Sequence, residues 1–289
     1  MVLSGWFFAG QAVNPISEVI QQVDKLSPKR LEERLKSPDF EDEIGKMVST
    51  VNRLLERIEN AFKLQKTFIA NVSHELKNPL TKISSQLEVS LLKERETGDY
   101  KNTISSVLED TQELAAITES LLELNKLSLS DSQAGFNEWR IDEILWEARS
   151  LTQKLNSAYK VSIDTSHMPE DEEMLLIKAD DKLILTALKN LMENACKFSP
   201  SKSAQVSFKN SGNSIQIFVR NEGKGIPAND LPYIFQPFFR GENTASSKGY
   251  GIGLSLVERI VQLHNGQISV ISVPDSYTEF TVNFAVASR

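Results

Sequence analysis

Apolar residues in the first part of the chain recur every three or four positions, the spacing of one face of a helix. Two such stretches flank a polar connector, SPKRLEERLKSPDF at 27–40. We predict two short amphipathic helices that bury too little surface alone, so a second copy is expected to complete a four-helix bundle. The apolar positions are Ile16, Val19, Ile20 and Val23 before the connector, and Ile44, Met47, Val51, Leu54, Leu55 and Ile58 after it.

The second stretch continues, without a capping or breaking residue, into a longer helical seam. The segment ETGDY at 96–100 is predicted to interrupt this helix, and a second helix follows before the linker SLSDSQAG at 128–135. Two antiparallel helices of this kind again predict a dimeric four-helix bundle. The seam comprises Leu55, Ile58, Phe62, Ile69, Val72, Leu76, Ile83, Leu87 and Leu91, then Ile104, Val107, Leu114, Ile117, Leu121 and Leu124.

Beyond the linker, helical and strand-like patterns are interleaved. Helices are predicted over 141–158, 180–198 and 252–264. Strands joined partly by hairpins, together with these helices, predict a two-layer α+β sandwich. The strand-like segments read FNEWRI, KVSIDT, LLIKA, AQVSFKN, SIQIFVRN, QISVIS and EFTVNFAV.

Composition narrows the possible functions. The 289 residues leave room for roughly two domains. A net charge of −7 argues against nucleic-acid binding. The single cysteine, Cys196, excludes an internal disulfide and fits a reducing compartment. The apolar segment Val2–Gly10 is shorter than the roughly 20 residues that a membrane span needs, and it fits a loose end, a small buried element or the remnant of a span that lies mostly upstream.

The segment NVSHELKNPL at 71–80 places one of the chain's three histidines on the seam helix. Val72 and Leu76 face the partner helix, so His74 should point to water on nearly the opposite side. Glu75 lies beside the imidazole, and Pro79 should bend the helix. A lone surface histidine is usually unremarkable, but this combination suits a nucleophile that accepts a group from outside.

In KNLMENACKFS, one helical face carries Asn190, Asn194 and Lys197. The opposite face is apolar and should pack on a sheet. A solvated polar face would explain this pattern, but so would an amide oxygen for Mg²⁺ and an ammonium for phosphate, because Mg²⁺ takes oxygen ligands.

Two glycine-bearing segments follow, VRNEGKGIP at 219–227 and KGYGIGLSLVERIV at 248–261. Glycine lets a backbone approach a ligand closely, and the second segment feeds a helix N-terminus, which attracts phosphate. Between them, the aromatic block IFQPFFRG at 234–241 is expected to be exposed. Together with the polar ENTASSK, it is typical of a mobile lid over a nucleotide.

In this order and spacing, the segments resemble the boxes of the sensor histidine kinases of two-component systems. SHELKNPL is similar to their H box, NLMENACKF to the N box, NEGKGIP to G1, IFQPFF to the F box and GYGIGL to G2. Residues 11–61 resemble a HAMP signal relay. The resemblance implies a membrane-span remnant at 1–10, a dimerisation and phosphotransfer domain at 62–130 and an ATP-binding domain of the GHKL (Bergerat) type at 136–289.

The resemblance also implies a role for each matching position. His74 would be phosphorylated from Mg-ATP, Glu75 would accept its proton, and Asn78 would position a water for dephosphorylating the partner. Asn194 would coordinate Mg²⁺. The remaining nucleotide contacts would come from Asn190 and Lys197 at the metal and phosphates, Phe198, Asn221, Gly223 and Gly225 near the base, Gly249, Gly251, Gly253 and Leu254 at the phosphate end, and Arg240 and Lys248 on the lid.

The chain departs from the family pattern at two places. Asn221 stands where the G1 box usually has an aspartate, and its oxygen can still accept a bond from the adenine amino group, with a loss of about 1 kcal/mol. Its amide can also donate, which leaves the base selectivity open. The last glycine-containing box is replaced by DSYTEFTV, and we assign no site there.

The family implies a homodimer that passes phosphate to an aspartate of a response-regulator receiver domain. It also implies the cytoplasmic portion of a bacterial inner-membrane protein. Two alternatives stay open. The first is an ATPase like Hsp90 or the mismatch-repair proteins, and the second is a degenerate or phosphatase-only member that acts as a dimeric scaffold.

Overall fold

A computed structural model describes residues 16–17, 19–24, 32–36, 43–129, 135–169, 171–241 and 249–287. The predicted membrane-span remnant at 1–10 lies outside these ranges, as does Lys248. The chain divides into two compact units, Met1–Ser73 and His74–Arg289. Within the described ranges, we find no helix that combines the length and the apolar character needed to cross a membrane.

The first unit is built around the start of a long helix, α1, which spans Glu43–Leu91. Val19, Leu35, Val48 and Leu55 form a small buried cluster. Asn52 holds Leu35 in place, because its Oδ1 accepts from the backbone N–H of Leu35 at 2.9 Å and its Nδ2 donates to the carbonyl of Leu35 at 3.0 Å. Leu35, in the described part of the connector, is thus held against α1 by both apolar and polar contacts.

Helix α1 is continuous over 49 residues and contains Pro79 without a break in its helical assignment. The predicted domain boundary at 61–62 lies inside this helix and stays a prediction. Helix α2 spans Thr97–Leu129. The predicted interruption at 96–100 was therefore placed too late, since the helices are separated by residues 92–96. The reason is local: the carbonyl of Glu96 accepts from the N–H of Asp99 at 3.0 Å, so α2 starts within the polar segment.

A polar cluster joins α1 to α2 within the second unit. Lys82 Nζ lies 2.9 Å from Asp110 Oδ1, and Gln86 Nε2 donates to Asp110 Oδ2 at 3.2 Å. Asp110 itself is buried. The apolar seam is different, because three of its side chains in this unit, Leu87, Leu91 and Ile104, are exposed within a single chain. Other exposed apolar side chains of the two helices are Leu80, Leu108 and Leu122.

The rest of the second unit is an α/β domain. Its strands are β1 Asn137–Arg140, β2 Lys160–Asp164, β3 Leu176–Ala179, β4 Ser203–Asn210, β5 Ser214–Glu222, β6 Gln267–Val273 and β7 Tyr277–Ala285, and its helices are α3 Ile141–Leu155, α4 Asp181–Phe198 and α5 Gly253–Leu263. The main sheet has five strands in the order β2-β4-β5-β7-β6, in which β2 and β4 are parallel and the other neighbours are antiparallel. Strands β1 and β3 form a separate antiparallel pair.

Alternation along the strands puts one face of this sheet against the three helices. On β5, Ile215, Ile217 and Val219 are fully buried, whereas the residues between them are partly exposed. Leu191 of α4 and Val257 of α5 pack into the same core. The predicted two-layer α+β sandwich after a helical N-terminal region is confirmed.

Candidate active site

His74 lies on α1 with its side chain exposed to solvent. Asn78, one turn later, is exposed as well, and Glu75 is half-buried. Pro79 is buried. On a helix, residues four positions apart share a face, so His74 and Asn78 present a nucleophile and an amide side by side.

Helix α4 is started by its own cap, because Asp180 Oδ1 accepts from the N–H of Leu183 at 3.1 Å. Its apolar face is buried, and its polar face carries Asn190 and Asn194 toward the start of α5. Asn190 Nδ2 donates to the carbonyl of Thr186 at 2.9 Å, which leaves its Oδ1 turned toward Gly253.

Gly253 is the first residue of α5 and leaves little room beside the two asparagines. A Cβ atom there would lie 3.0 Å from Asn190 Oδ1 and 3.9 Å from Asn194 Nδ2. Among the described residues, no side chain caps this helix, so its first N–H groups stay available. The helix N-terminus and the two amides therefore line one cradle, which is suited to phosphate.

The same amides suit a magnesium ion. Mg²⁺ is usually held by one or two protein oxygens together with substrate phosphates and waters. Within the ranges that the structure describes, His, Cys, Asp and Glu side chains form no cluster that could hold a metal without phosphate. Asn190 and Asn194 beside a phosphate cradle fit this arrangement.

Lys197 closes the cradle from the next turn of α4. A Cβ atom on Gly249, whose φ is +129°, would lie 2.9 Å from Lys197 Nζ. Burial lowers the pKa of Lys197, and the positive charge of Arg240 lowers it further. Because the positive charges of Lys197 and Arg240 repel each other, a bound anion such as phosphate would be attracted to both and would stabilise their charged forms.

The part of the candidate site that is expected to hold the adenine base, here called the base end, lies where β5 meets the loop after it. Asn221 is buried, and its Nδ2 donates to the carbonyl of Glu222 at 3.1 Å. Gly223 touches the backbone of α4, since a Cβ atom would lie 2.6 Å from the carbonyl oxygen of Phe198. The Phe198 ring is exposed and lies 4.9 Å from Lys197 Nζ. Gly225 has a φ of +72° and fits against the carbonyl of Val273.

The structure adds Thr278 to the candidate site, in the segment to which the sequence assigned no residue. Thr278 is buried and lies opposite Asn221 in the β5–β7 register. Its Oγ1 is 2.8 Å from Ser272 Oγ, which accepts from the N–H of Ile226 at 2.8 Å. The strand alternation of YTEFTV, which turns Thr278 and Phe280 to the same buried side, is the signal that could have found it.

The aromatic block is not the exposed surface that its composition suggested. Ile234 and Phe238 are buried, and Phe235 packs edge-on against Phe280. The N–H of Phe238 donates to the carbonyl of Gly251 at 2.9 Å, so this block supports the glycine-rich turn. Arg240 lies near the end of this block, and residues 242–248 of the predicted lid, including the predicted lid cation Lys248, lie outside the described residues.

Three known domain families match successive parts of the chain. Residues 7–60 match the HAMP domain, 64–129 the His Kinase A (phospho-acceptor) domain, and 179–288 the histidine kinase-, DNA gyrase B-, and HSP90-like ATPase family. The chain is 26% identical to the sensor protein CzcS of Cupriavidus metallidurans over 98% of its length, and 30% identical to the sensor histidine kinase YkoH of Bacillus subtilis over 96%. It spans only 59% and 62% of those two relatives.

Solved structures agree on the fold. A crystal structure of the histidine kinase ThkA with the response regulator protein TrrA superposes with a TM-score of 0.61 at 21% identity, and the match covers 79% of this chain and 64% of that one. A HAMP domain, a phospho-acceptor domain and a GHKL-type ATPase domain therefore follow one another along the chain, and this is the architecture of the sensor histidine kinases, the family to which the chain belongs.

Proposed function

We propose that the chain is the signalling core of a sensor histidine kinase that phosphorylates His74 from Mg-ATP. The observation that carries this proposal is one compact unit holding both an exposed histidine on a helix and a phosphate cradle at the start of α5. Neither a plain ATPase nor a scaffold needs both features.

In the proposed step, a ring nitrogen of His74 attacks the γ-phosphorus of ATP. A P–N bond forms, the P–O bond to ADP breaks, and Glu75 takes the imidazole proton. Asn194 and Asn190 would hold Mg²⁺, which neutralises charge on the phosphates when it is bound. Lys197 and Arg240 add positive charge, and such positioning and charge neutralisation are most of what phosphoryl transfer requires.

The base would contact Phe198, Asn221 and the glycines Gly223 and Gly225. Gly249, Gly251, Gly253 and Leu254 would line the phosphate end, with Lys248 on the lid. Asn78 would position a water molecule that hydrolyses the aspartyl phosphate of the partner protein. These roles, like the domain limits 11–61, 62–130 and 136–289, belong to the proposal.

We further propose that the chain forms a homodimer and transfers the phosphoryl group to an aspartate of a response-regulator receiver domain. Exposed seam residues such as Leu87 and Ile104 support the dimer, and the response regulator bound to ThkA in its crystal structure supports the second partner. A HAMP relay supports attachment to a membrane through a segment outside the described residues. The chain would then be the cytoplasmic part of an inner-membrane sensor.

The test is incubation of the purified chain with γ-labelled ATP. We expect label that survives base and is lost in acid, and that disappears in His74→Gln. His167→Gln is the matched control, because His167 is an exposed histidine in the turn that follows β2. This variant should be labelled as the wild type is. ATP turnover without any phosphorylated protein would contradict the proposal and favour the plain ATPase. Absence of ATP-analogue binding would favour the scaffold.

A further inference from the structure

The part of α1 that begins at His74 forms, together with α2, a helical hairpin that we call the acceptor hairpin. A polar contact lies in its interior. The buried carboxylate of Asp110 on α2 accepts from Lys82 Nζ at 2.9 Å on one oxygen and from Gln86 Nε2 at 3.2 Å on the other. Gln86 Nε2 also donates to Ser106 Oγ at 3.2 Å. Both oxygens of Asp110 are therefore bound by side chains of α1, which joins the two helices at one level.

This contact is directional, whereas the apolar contacts of the hairpin are not. Burial of apolar surface is favourable whichever apolar groups meet, so it distinguishes weakly between neighbouring alignments of two helices. A slip of α1 by one residue moves it by about 1.5 Å and turns it by about 100°. Such a slip would carry Lys82 and Gln86 away from Asp110. The polar contact therefore selects one register of α1 on α2.

The same contact is not arranged for the greatest stability. The Oε1 atom of Gln86 is buried, and no described residue donates a hydrogen bond to it, which lowers the stability of the folded state. The Lys82 side chain is 64% exposed, so its ion pair with Asp110 offsets little of this loss. Polar groups inside helical bundles can select one register at the expense of stability. Selection of register explains the contact better than stabilisation does.

The acceptor histidine lies on the helix that this contact holds. Lys82 follows His74 by eight residues, which is about 12 Å along the helix axis. Pro79 lies between them and cannot donate a backbone hydrogen bond, so the contact with Asp110 holds α1 just after its weakest point. A change of register would shift and turn His74 with the helix, and a displacement of about 1 Å is enough to slow a group transfer.

We propose that Lys82 and Asp110 are positioning residues: their ion pair fixes the register of α1 on α2 and so holds His74 at one height and on one side of the acceptor hairpin. This inference rests on the proposed kinase function. When the ion pair is lost, other registers become populated, and only the remaining fraction presents His74 correctly. The rate of phosphorylation falls with that fraction, whereas the affinity for nucleotide, which is set in the ATP-binding domain, does not change.

The test measures the rate of His74 phosphorylation in the full chain at saturating ATP, and separately the affinity for a fluorescent ATP analogue. Lys82→Met keeps the apolar stem and removes the cation, and Asp110→Asn removes the anion. Each should lower the rate about fivefold, the upper range for an ion pair with one exposed partner, at unchanged analogue affinity. The double variant should be no slower than the slower single variant, because both changes remove the same contact. Lys82→Arg, which keeps a cation within reach of Asp110, should label at the wild-type rate.

A combined variant separates register from stability. Lys82→Met, Gln86→Leu and Asp110→Leu together replace the polar contact with apolar side chains. Urea unfolding, followed by the helical circular dichroism signal at one protein concentration, should show a stability equal to or above that of the wild type. Labelling should nevertheless stay about fivefold or more below the wild-type rate. A combined variant that labels normally, or one that is both unstable and slow, would contradict a role in register.

Matched controls are Lys101→Met, which alters an exposed lysine near the start of α2, and Glu119→Gln, which alters an exposed acid further along α2. Both should label at the wild-type rate. Wild-type or faster labelling of Lys82→Met, additive losses in the double variant, or a slow Lys82→Arg variant would each overturn the positioning role. Wild-type protein that is never labelled would instead refute the proposed function itself.

Discussion

The ATP-binding domain and the acceptor hairpin are stabilised in different ways. In the domain, side chains such as Leu191 and Ile217 are completely buried by residues of the same chain. In the hairpin, Leu87 is 43% exposed and Ile104 is 62% exposed. The difference teaches that the core of the ATP-binding domain is completed within one copy of the chain, whereas the hairpin that carries His74 keeps apolar side chains exposed, which a second copy would cover in the proposed dimer.

The two parts are joined at the end of α2. Arg259 Nε of α5 donates to the carbonyl of Leu127 at 3.2 Å, and the Leu127 side chain is buried in the core of the domain. Substitutions made separately in the domain core and in the hairpin test whether the two parts are stabilised in these different ways.

The largest expected effect is in the core of the domain. Leu191→Ala should lower the free energy of unfolding by about 2–5 kcal/mol, because it leaves a cavity among fully buried side chains. Urea unfolding followed by the fluorescence of Trp139 and Trp146 measures it. Leu155→Ala, which truncates an exposed leucine at the end of α3, should change stability by less than about 0.5 kcal/mol. An equal decrease in the free energy of unfolding in the two variants would mean that burial of Leu191 does not stabilise the domain.

The next effect concerns the hairpin. Ile104→Ser should raise the dimer dissociation constant by at least about tenfold, since each copy loses an apolar side chain that the partner would cover. Analytical ultracentrifugation measures it. The domain's unfolding by urea should stay at the wild-type value, and Glu119→Ala on the same helix should not alter the dimer. An unchanged dimer in Ile104→Ser would show that the exposed seam is not the interface.

A smaller effect is expected at the base end. Asn221 Nδ2 is occupied by the carbonyl of Glu222, so Oδ1 remains to accept from the amino group of adenine. Asn221→Asp should therefore strengthen ATP binding by about 1 kcal/mol while keeping ATP preferred over GTP, because a charged acceptor forms the stronger bond. Asn221→Leu should lose that preference. Calorimetric titration with both nucleotides decides, and wild-type protein that binds GTP as well as ATP would contradict the assignment.

Thr278 offers a companion to this measurement. Thr278→Val keeps the shape of the side chain and removes the hydroxyl that meets Ser272 beside the base end. We expect ATP affinity to fall by about 1 kcal/mol, the usual contribution of one neutral hydrogen bond. Thr281→Val, on the more exposed side of β7, is the control and should bind ATP as wild type does. Equal affinity in all three proteins would exclude Thr278 from the site.

The smallest effect is a pH dependence of the domain. His264 is buried, its Nδ1 donates to the carbonyl of Ile260 at 2.7 Å, and its Nε2 accepts from the N–H of Asp180 at 3.1 Å. Burial lowers its pKa below the ordinary 6.5. The unfolded chain therefore binds more protons between those two values, and the domain should lose stability as the pH falls below about 6.5.

Urea midpoints at about pH 7.5 and about pH 5.5 measure this loss. His264→Gln should show a smaller decrease on acidification than the wild type, whereas His167→Gln, which alters an exposed histidine, should match the wild type. If His264→Gln and the wild type respond equally to acid, protonation of the buried ring is not part of the acid response.

Local patterns predicted most of the elements. The helices at 141–158, 180–198 and 252–264 are observed as Ile141–Leu155, Asp181–Phe198 and Gly253–Leu263. The predictions succeeded because apolar periodicity is set by which face is buried, and that face is the same along each element. The interruption before α2 was placed too late because turn-forming residues also begin helices. The aromatic block was misjudged because burial depends on what lies across from it.

What the sequence determined by itself was the order of the domains, the residue types of the candidate site and the face on which His74 lies. These depend on neighbours a few positions apart. Only the tertiary structure decided that Thr278 lies opposite Asn221, that Gly253 lies beside Asn190 and Asn194, and that Arg259 reaches the carbonyl of Leu127. Each of those contacts joins residues far apart in the chain, and their distance in space is set by sheet register and helix packing, which no local pattern encodes.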